Sequence, residues 1–282
     1  MKFSPIGCHL LLLELCSRAR RSGRWISTVS LAILVSSIPL LPTSAIADAI
    51  SLGADNWCPY TCDPSSDHPG LLVEIARYSF EKAGHTVVFK VMPWSRAIQE
   101  SREGRLDGIV GAFSADVPDF VFPSVPQLTA ENRFFVSPKN SWRFTGLESL
   151  SSIALGVVQD YHYEPKLDEY IVKFSRDPSR VQVAKGDDPI ATNIEKLLAG
   201  RIGTFLDDDK VVKYILTQRG TPDALIEAGS LESANVFIAF SPKIKVSATC
   251  AKILSDGTRE MRENGELAKL ERRYGINPIP NQ

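Results

Sequence analysis

The sequence predicts an α/β protein built as two similar lobes that face each other across a cleft. Two stretches about a hundred residues apart carry that prediction. In the first, Pro93 opens a helix, Ala97, Ile98 and Ser101 form its inward stripe, Gly104 stops it, and Leu106–Phe113 is an apolar, β-rich run. Proline suits a first helical position because its missing N–H would have no partner there. Glycine enters the left-handed turn that ends a helix without steric cost. In the second stretch, Ile194–Ala199 is helical, Gly200 and Arg201 end it, and Ile202–Leu206 is again an apolar strand. A helix feeding a buried strand is half of a βαβ unit, and such units imply a parallel sheet. Each strand runs into a polar loop, Ser114-Ala115-Asp116 or Asp207-Asp208-Asp209. Ligands of open α/β sheets gather at the carboxyl ends of strands, which places a binding cleft between the lobes.

The first 47 residues stand apart from the rest. Arg18, Arg20, Arg21 and Arg24 precede an uncharged segment, Trp25–Ala47, that closes on Ser44-Ala45-Ile46-Ala47. A basic flank, an apolar centre and an A-x-A end mark a secretory signal peptide cut after Ala47. The alternative is an uncleaved membrane anchor, against which Pro39 and Pro42 shorten the apolar run. Removing 1–47 takes away five of 32 basic and one of 33 acidic residues, leaving a net charge of −5. A mildly acidic chain with no basic stripe has no electrostatic footprint for nucleic acid.

In the mature chain Ala49–Asp55 reads as a strand, Gly70–Ala83 as a helix ended by Gly84, and Thr86–Met92 as a strand. After the opening helix–strand unit, Phe120–Arg133 is proline-broken, and Phe134–Val136 is a strand leaving the first lobe. The second lobe holds strands at Ile153–Val158 and Val181–Ala184, a helix over Tyr170–Phe174, the second helix–glycine–strand unit and a helix at Asp209–Gln218. Asn235–Phe240 is a last strand. Val246–Tyr274 is helical with a break near Gly265, and Ala251, Leu254, Met261, Leu267 and Leu270 dock it onto the first lobe. Cys8 and Cys16 fall in the leader. Cys58 and Cys62, in a Pro-containing loop of an exported chain, read as a disulfide. Metal binding is the alternative, with no nearby Cys or His pair to complete a tetrahedral set. Cys250 reads as a small buried residue.

Asp55-Asn56-Trp57-Cys58-Pro59-Tyr60, Gly70–Ile75, Pro93-Trp94-Ser95-Arg96-Ala97, Gly104–Gly108, Leu198–Ile202 and Phe237–Ser241 follow one another in an order and spacing that resemble the periplasmic solute-binding proteins of the family-3 type. The resemblance covers nearly the whole mature chain. It implies a two-lobed, type II periplasmic-binding-protein-like fold with two hinge crossovers, near Phe134–Val136 and Val236–Ala239. Lobe 1 is then 48–137 with 239–282, and lobe 2 is 138–238. It also implies a monomeric periplasmic receptor that captures a small polar solute for an ABC transporter permease, with no cofactor and no metal. Trp57 and Tyr60 match aromatic positions that pack on ligand, where a π-face suits a cation or an apolar body. Trp57 as a cover for the disulfide loop is the competing role. Trp94 joins the ligand set, as do Gly111, Ala112 and Ser114 at a strand end that offers backbone and hydroxyl groups. Tyr161 and His162 fall where the second lobe presents backbone donors at a helix start. Asp208 matches the acceptor of a ligand amino group, against a bland role in a solvated loop.

One departure cuts across the resemblance. Amino-acid receptors of this kind hold the ligand α-carboxylate with an arginine soon after the strand equivalent to Leu106–Phe113. No Lys or Arg occurs from Leu106 to Asn132, where Asp116 and Asp119 stand instead. Arg96 or Arg133 are the candidate substitutes, Arg96 equally suited to pairing with Glu100 one turn on. An enzyme is the rival class, a dehydratase on the same fold above all, but the chain has no G-x-S-x-G, H-E-x-x-H or phosphate-loop motif. A sensory or accessory binding module is the other.

Overall fold

In a computed structural model that describes residues 48–277, ten strands and seven α-helices assemble around two five-stranded sheets. The leader predicted over 1–47 lies outside the described residues. Strand β1 (Ala49–Ala54) pairs in parallel with β2 (Thr86–Val91) and β3 (Gly108–Ala112), with α1 (Leu71–Lys82) and α2 (Trp94–Arg102) as the crossovers. Strand β10 (Ala234–Phe240) runs antiparallel to β3 and to the short β4 (Leu128–Ala130), giving the order β2-β1-β3-β10-β4. The second sheet repeats the plan. There β6 (Leu155–Val158) pairs in parallel with β7 (Val181–Ala184) and β8 (Thr204–Asp208), and β5 (Asn132–Val136) runs antiparallel between β8 and β9 (Ile226–Ser230). Helices α3 (Pro165–Phe174), α4 (Pro189–Leu198) and α5 (Asp209–Gln218) connect its strands.

The chain crosses between sheets twice, at Glu131 between β4 and β5 and over 231–233 between β9 and β10. These crossings lie side by side, because Leu231 N–H donates to Asn132 O at 2.9 Å and Ala234 pairs with Ala130. Two adjacent connections of this kind let two bodies rotate about one axis.

Both helix–glycine–strand units form as the residues predict. The inward face of α2 buries Trp94, Ala97, Ile98 and Ser101, and that of α4 buries Ile190, Asn193, Ile194 and Leu197. The C-terminal helix spans α6 (Ser247–Glu263) and α7 (Glu266–Arg273), broken where Gly265 takes the left-handed conformation. Its face carrying Ala251, Leu254 and Met261 packs with α1, including Phe80 and Leu72, in the main core. Each large side chain buried there stabilises by about 1.5–3 kcal/mol. The proline-broken 120–133 segment nonetheless contains β4, held by β10, and a 3₁₀ turn at Leu147–Ser152 precedes β6.

Gly70 is one position where only glycine fits. Its φ is +118°, and a Cβ there would lie 2.3 Å from the Tyr60 carbonyl oxygen. Its N–H donates to the Tyr274 hydroxyl at 2.9 Å, tying the start of α1 to the end of α7. The loop 55–62 is thereby pressed against the first turn of α1.

Candidate functional site

That loop is a closed turn. Trp57 N–H donates to Thr61 O at 2.9 Å, Tyr60 N–H to Trp57 O at 2.9 Å, and the Thr61 hydroxyl to Asp55 O at 2.9 Å. A Cys58–Cys62 disulfide staples it. The Trp57 and Tyr60 rings stand 4.6 Å apart at 49°, both buried. From the end of β1 these groups meet the second sheet's side of the molecule. Trp57 Nε1–H donates to Asp207 Oδ1 at 3.0 Å, and the Tyr60 hydroxyl donates to Asp208 Oδ1 at 3.1 Å, both at the end of β8. In return the Tyr161 hydroxyl, just after β6, donates to Asp55 Oδ2 at 2.8 Å. Three hydrogen bonds therefore join the two halves across the carboxyl ends of their strands.

Between them lies a cavity of about 20 Å³ lined from both halves. By that measure it holds about one water. Trp57, Trp94, Phe113 and Tyr161 form its aromatic wall, with the Trp94 and Tyr161 rings edge-to-face at 6.3 Å. Val110 and Gly111 supply strand backbone, and Asp55, Asp116 and His162 supply the polar lining. Gly111 has φ +96°, and a Cβ there would stand 3.4 Å from the Trp57 ring, so the strand approaches the indole closely. Two wider cavities adjoin. One of about 310 Å³ shares Asp55 and Trp94 and reaches Gln159 and Lys185. The other, of about 300 Å³, shares Asp116 and His162.

The site is acidic, and its carboxyls are largely withdrawn from water. Burial pushes the Asp55 carboxyl up to about 6, against the lowering effect of the Tyr161 hydroxyl. Burial likewise raises Asp116 to about 7, with the Phe113 N–H at 3.1 Å pulling it back. Asp207 is raised to about 8, again by burial, and its neighbours Asp208 and Asp55 add to the rise. Desolvation disfavours the charged carboxylate; His162 partly offsets it at Asp116, and no Lys or Arg does so at any of the three. Burial also raises the Tyr60 and Tyr161 phenols well above their ordinary value, so both remain donors. The lining contains no Lys or Arg.

Of the residues predicted for the site, Trp57, Trp94, Gly111, Tyr161 and His162 line the cavity. The Tyr60 ring packs at a tilt against that of Trp57. The others lie elsewhere. Ala112 is fully buried in the apolar cluster with Ile109 and Ala239, and Ser114 is exposed beyond the strand end. Arg96 is exposed and pairs with Glu100 at 3.3 Å, the one-turn partner its spacing allows. Arg133 is held by Glu131 at 3.0 Å and by Glu227. Asp208 caps α5, accepting from Lys210 N–H at 2.9 Å and Val211 N–H at 3.3 Å, while its second oxygen accepts from Glu131 N–H at 3.1 Å. Neither Arg96 nor Arg133 lines the cavity. Sequence reasoning missed Asp55, Phe113, Asp116 and Asp207. Asp55 and Asp207 end apolar strands, the position from which a parallel sheet presents ligand groups, and that was the available signal. Among the described residues no group of three or more His, Cys, Asp or Glu could hold a metal ion.

Two mixed sheets joined by two crossings, with a cavity at their facing strand ends, define a two-lobed binding-protein fold. The chain belongs to the bacterial extracellular solute-binding proteins, family 3, matched over residues 50–277. A histidine kinase sensor domain with similarity to periplasmic binding proteins aligns with a TM-score of 0.68 at 18% identity, covering 82% of this chain and 99% of that one. A structure concerned with glutathione import via GshT and the cystine ABC importer TcyBC of Streptococcus mutans aligns at 0.69 and 14%, covering 83% and 98%. An ancestral arginine-binding protein bound to arginine aligns at 0.63 and 19%, covering 80% and 97%. At these identities the likeness is one of fold. No curated protein matches the chain.

Proposed function

We propose that the chain is an exported receptor that captures a small polar solute between its two halves and performs no covalent chemistry on it. The cavity lined by Trp57, Trp94, Gly111, Phe113 and Asp116 on one side and Tyr161 and His162 on the other carries this reading. A ligand that extends from it into the adjoining cavities of about 310 and 300 Å³ touches both bodies at once, and its contacts would favour the closed arrangement over an open one. The hinge lies at Glu131 and 231–233, and the solute reaches an ABC permease partner from a periplasmic monomer cut after Ala47. Supporting the import role, a structure of similar fold concerns an ABC importer. A second reading, a sensory module, draws on the kinase sensor domain that shares the fold over 99% of its length.

A thermal-shift screen of residues 48–282 against amino acids, amines, small acids and sugars tests the receptor reading. A true ligand at about 100 times its Kd adds about 2.7 kcal/mol of stability. A screen in which no solute shifts the transition, or one that finds turnover of a solute, contradicts it. Loss of labelled-solute uptake on deleting the chain separates importer from sensor.

A further inference from the structure

The polar groups of the cavity are matched to one kind of ligand. Two of its side chains are carboxylates, Asp55 and Asp116, one is the imidazole of His162, and none is a lysine or arginine. The guanidinium groups of this region are committed elsewhere, Arg96 to Glu100, Arg102 to Asp119 through two bonds of 2.8 and 2.9 Å, and Arg133 to Glu131 and Glu227. Two polar atoms of lining residues are buried with no hydrogen-bond partner among the described residues: the acceptor Asp116 Oδ1 and the donor Trp94 Nε1–H. Trp94 as a whole is only 5% exposed. A buried polar atom without a partner costs free energy that a ligand group of opposite character recovers. Asp116 calls for an N–H donor, best a charged one. The Trp94 N–H calls for an oxygen. The aromatic wall adds the negative π-faces that attract a cation.

Resting on the receptor reading above, we infer that the ligand is an organic ammonium whose ammonium-bearing carbon carries no carboxylate: a decarboxylated amine, amino alcohol or amino amide, not an α-amino acid. An α-carboxylate is fixed within a few ångströms of its ammonium, so it would be brought up beside Asp55 and Asp116 in a desolvated site. Like charges there repel strongly, and no guanidinium is present to reverse the sign. A hydroxyl or amide oxygen satisfies Trp94 Nε1–H without that repulsion. Lys185 and Arg102 line the adjoining cavities of about 310 and 300 Å³ and not this one, so a negative group is favoured away from the ammonium, at the ligand's far end. Binding a cation also draws the raised carboxyls down, so protons leave as ligand enters.

Isothermal titration of residues 48–282 with matched sets tests the inference: arginine against agmatine and argininamide, lysine against cadaverine and lysinamide, histidine against histamine and histidinol. In at least one set the carboxylate-free member binds at least about tenfold tighter than the amino acid. Its affinity rises from about pH 5 to about pH 8 as Asp55, faced by Tyr161 and Asp188, and Asp116, faced by His162 and Asp168, ionise. Asp116→Asn lowers that affinity by about tenfold or more while the ligand-free melting temperature at pH 8 stays level or rises, because a buried raised carboxyl has been replaced by a neutral isostere. An amino acid that binds as tightly as its carboxylate-free partners overturns the inference, and so does the absence of any responding set. A sugar or acid binding where no amine does overturns it while leaving the receptor reading intact. No response to any solute counts against both.

Discussion

The indole N–H of Trp57 donates to Asp207 Oδ1 at 3.0 Å, linking residues 150 apart in sequence and the strand ends of two different sheets. Asp207 is 2% exposed, and its other oxygen is buried with no partner among the described residues. The bond is thus a buried clasp between the halves. It forms on the same indole that walls the cavity.

Trp57→Phe keeps an aromatic ring in the wall and removes the donor. Asp207 Oδ1 is then left with the Asp208 N–H alone. Leaving a buried acceptor short of a partner costs about 1–3 kcal/mol. Urea unfolding at pH 8 should show a midpoint lowered accordingly, and an unchanged midpoint would remove the clasp.

Asp208 separates capping from ligand contact. Its side chain accepts from two N–H groups at the start of α5 and from Tyr60. Asp208→Ala should cost about 1–2 kcal/mol, the loss of an N-cap, whereas Asp208→Asn should recover most of it. Solute affinity per folded molecule should change little in Asp208→Asn. A large loss of affinity there, with stability intact, would return Asp208 to the ligand set.

The pH dependence has a definite sign. Asp55, Asp116 and Asp207 are raised from 3.8 to about 6, about 7 and about 8. In that interval the folded chain holds protons that the unfolded chain has released, so stability falls as pH rises through each folded value. The ligand-free melting temperature should therefore be higher at about pH 5 than at about pH 8. A flat or rising profile across this window contradicts the burial of these carboxyls.

Gly70→Ala tests the loop that carries Trp57. A Cβ at φ +118° would lie 2.3 Å from the Tyr60 carbonyl, so backbone has to move. Strain of this kind costs about 1–3 kcal/mol. Calorimetry should show the loss, and ligand affinity should weaken with it as the 55–62 turn shifts. A variant as stable as the parent would refute the close approach.

The fold was legible where local rules and tertiary demand agree. Pro93, Gly104 and the run from Leu106 to Phe113 place α2 and β3, and Ile194–Leu206 places α4 and β8, because stop signals and buried stripes coincide there. The residues Asp209–Gln218 become α5 with Asp208 as cap. Strands β4 and β9 escaped notice because they are held by antiparallel partners far away in sequence, and neither carries a long apolar run of its own. The site was legible for its aromatics and not for its acids. Trp57, Trp94 and Tyr161 advertise themselves by type, but Asp55 and Asp207 gain meaning only when two strand ends are brought face to face. Arg96 looked available because spacing alone cannot tell whether Glu100 or the cleft claims it. In the fold Glu100 does.

Capture between two halves is the central claim, and hydrogen–deuterium exchange on adding a responding solute measures it most directly. The account predicts that protection rises together in 55–60 and 108–116 on one side and in 158–163 on the other, saturating at one solute per chain. Protection confined to one side, or none in these segments at saturation, would contradict it.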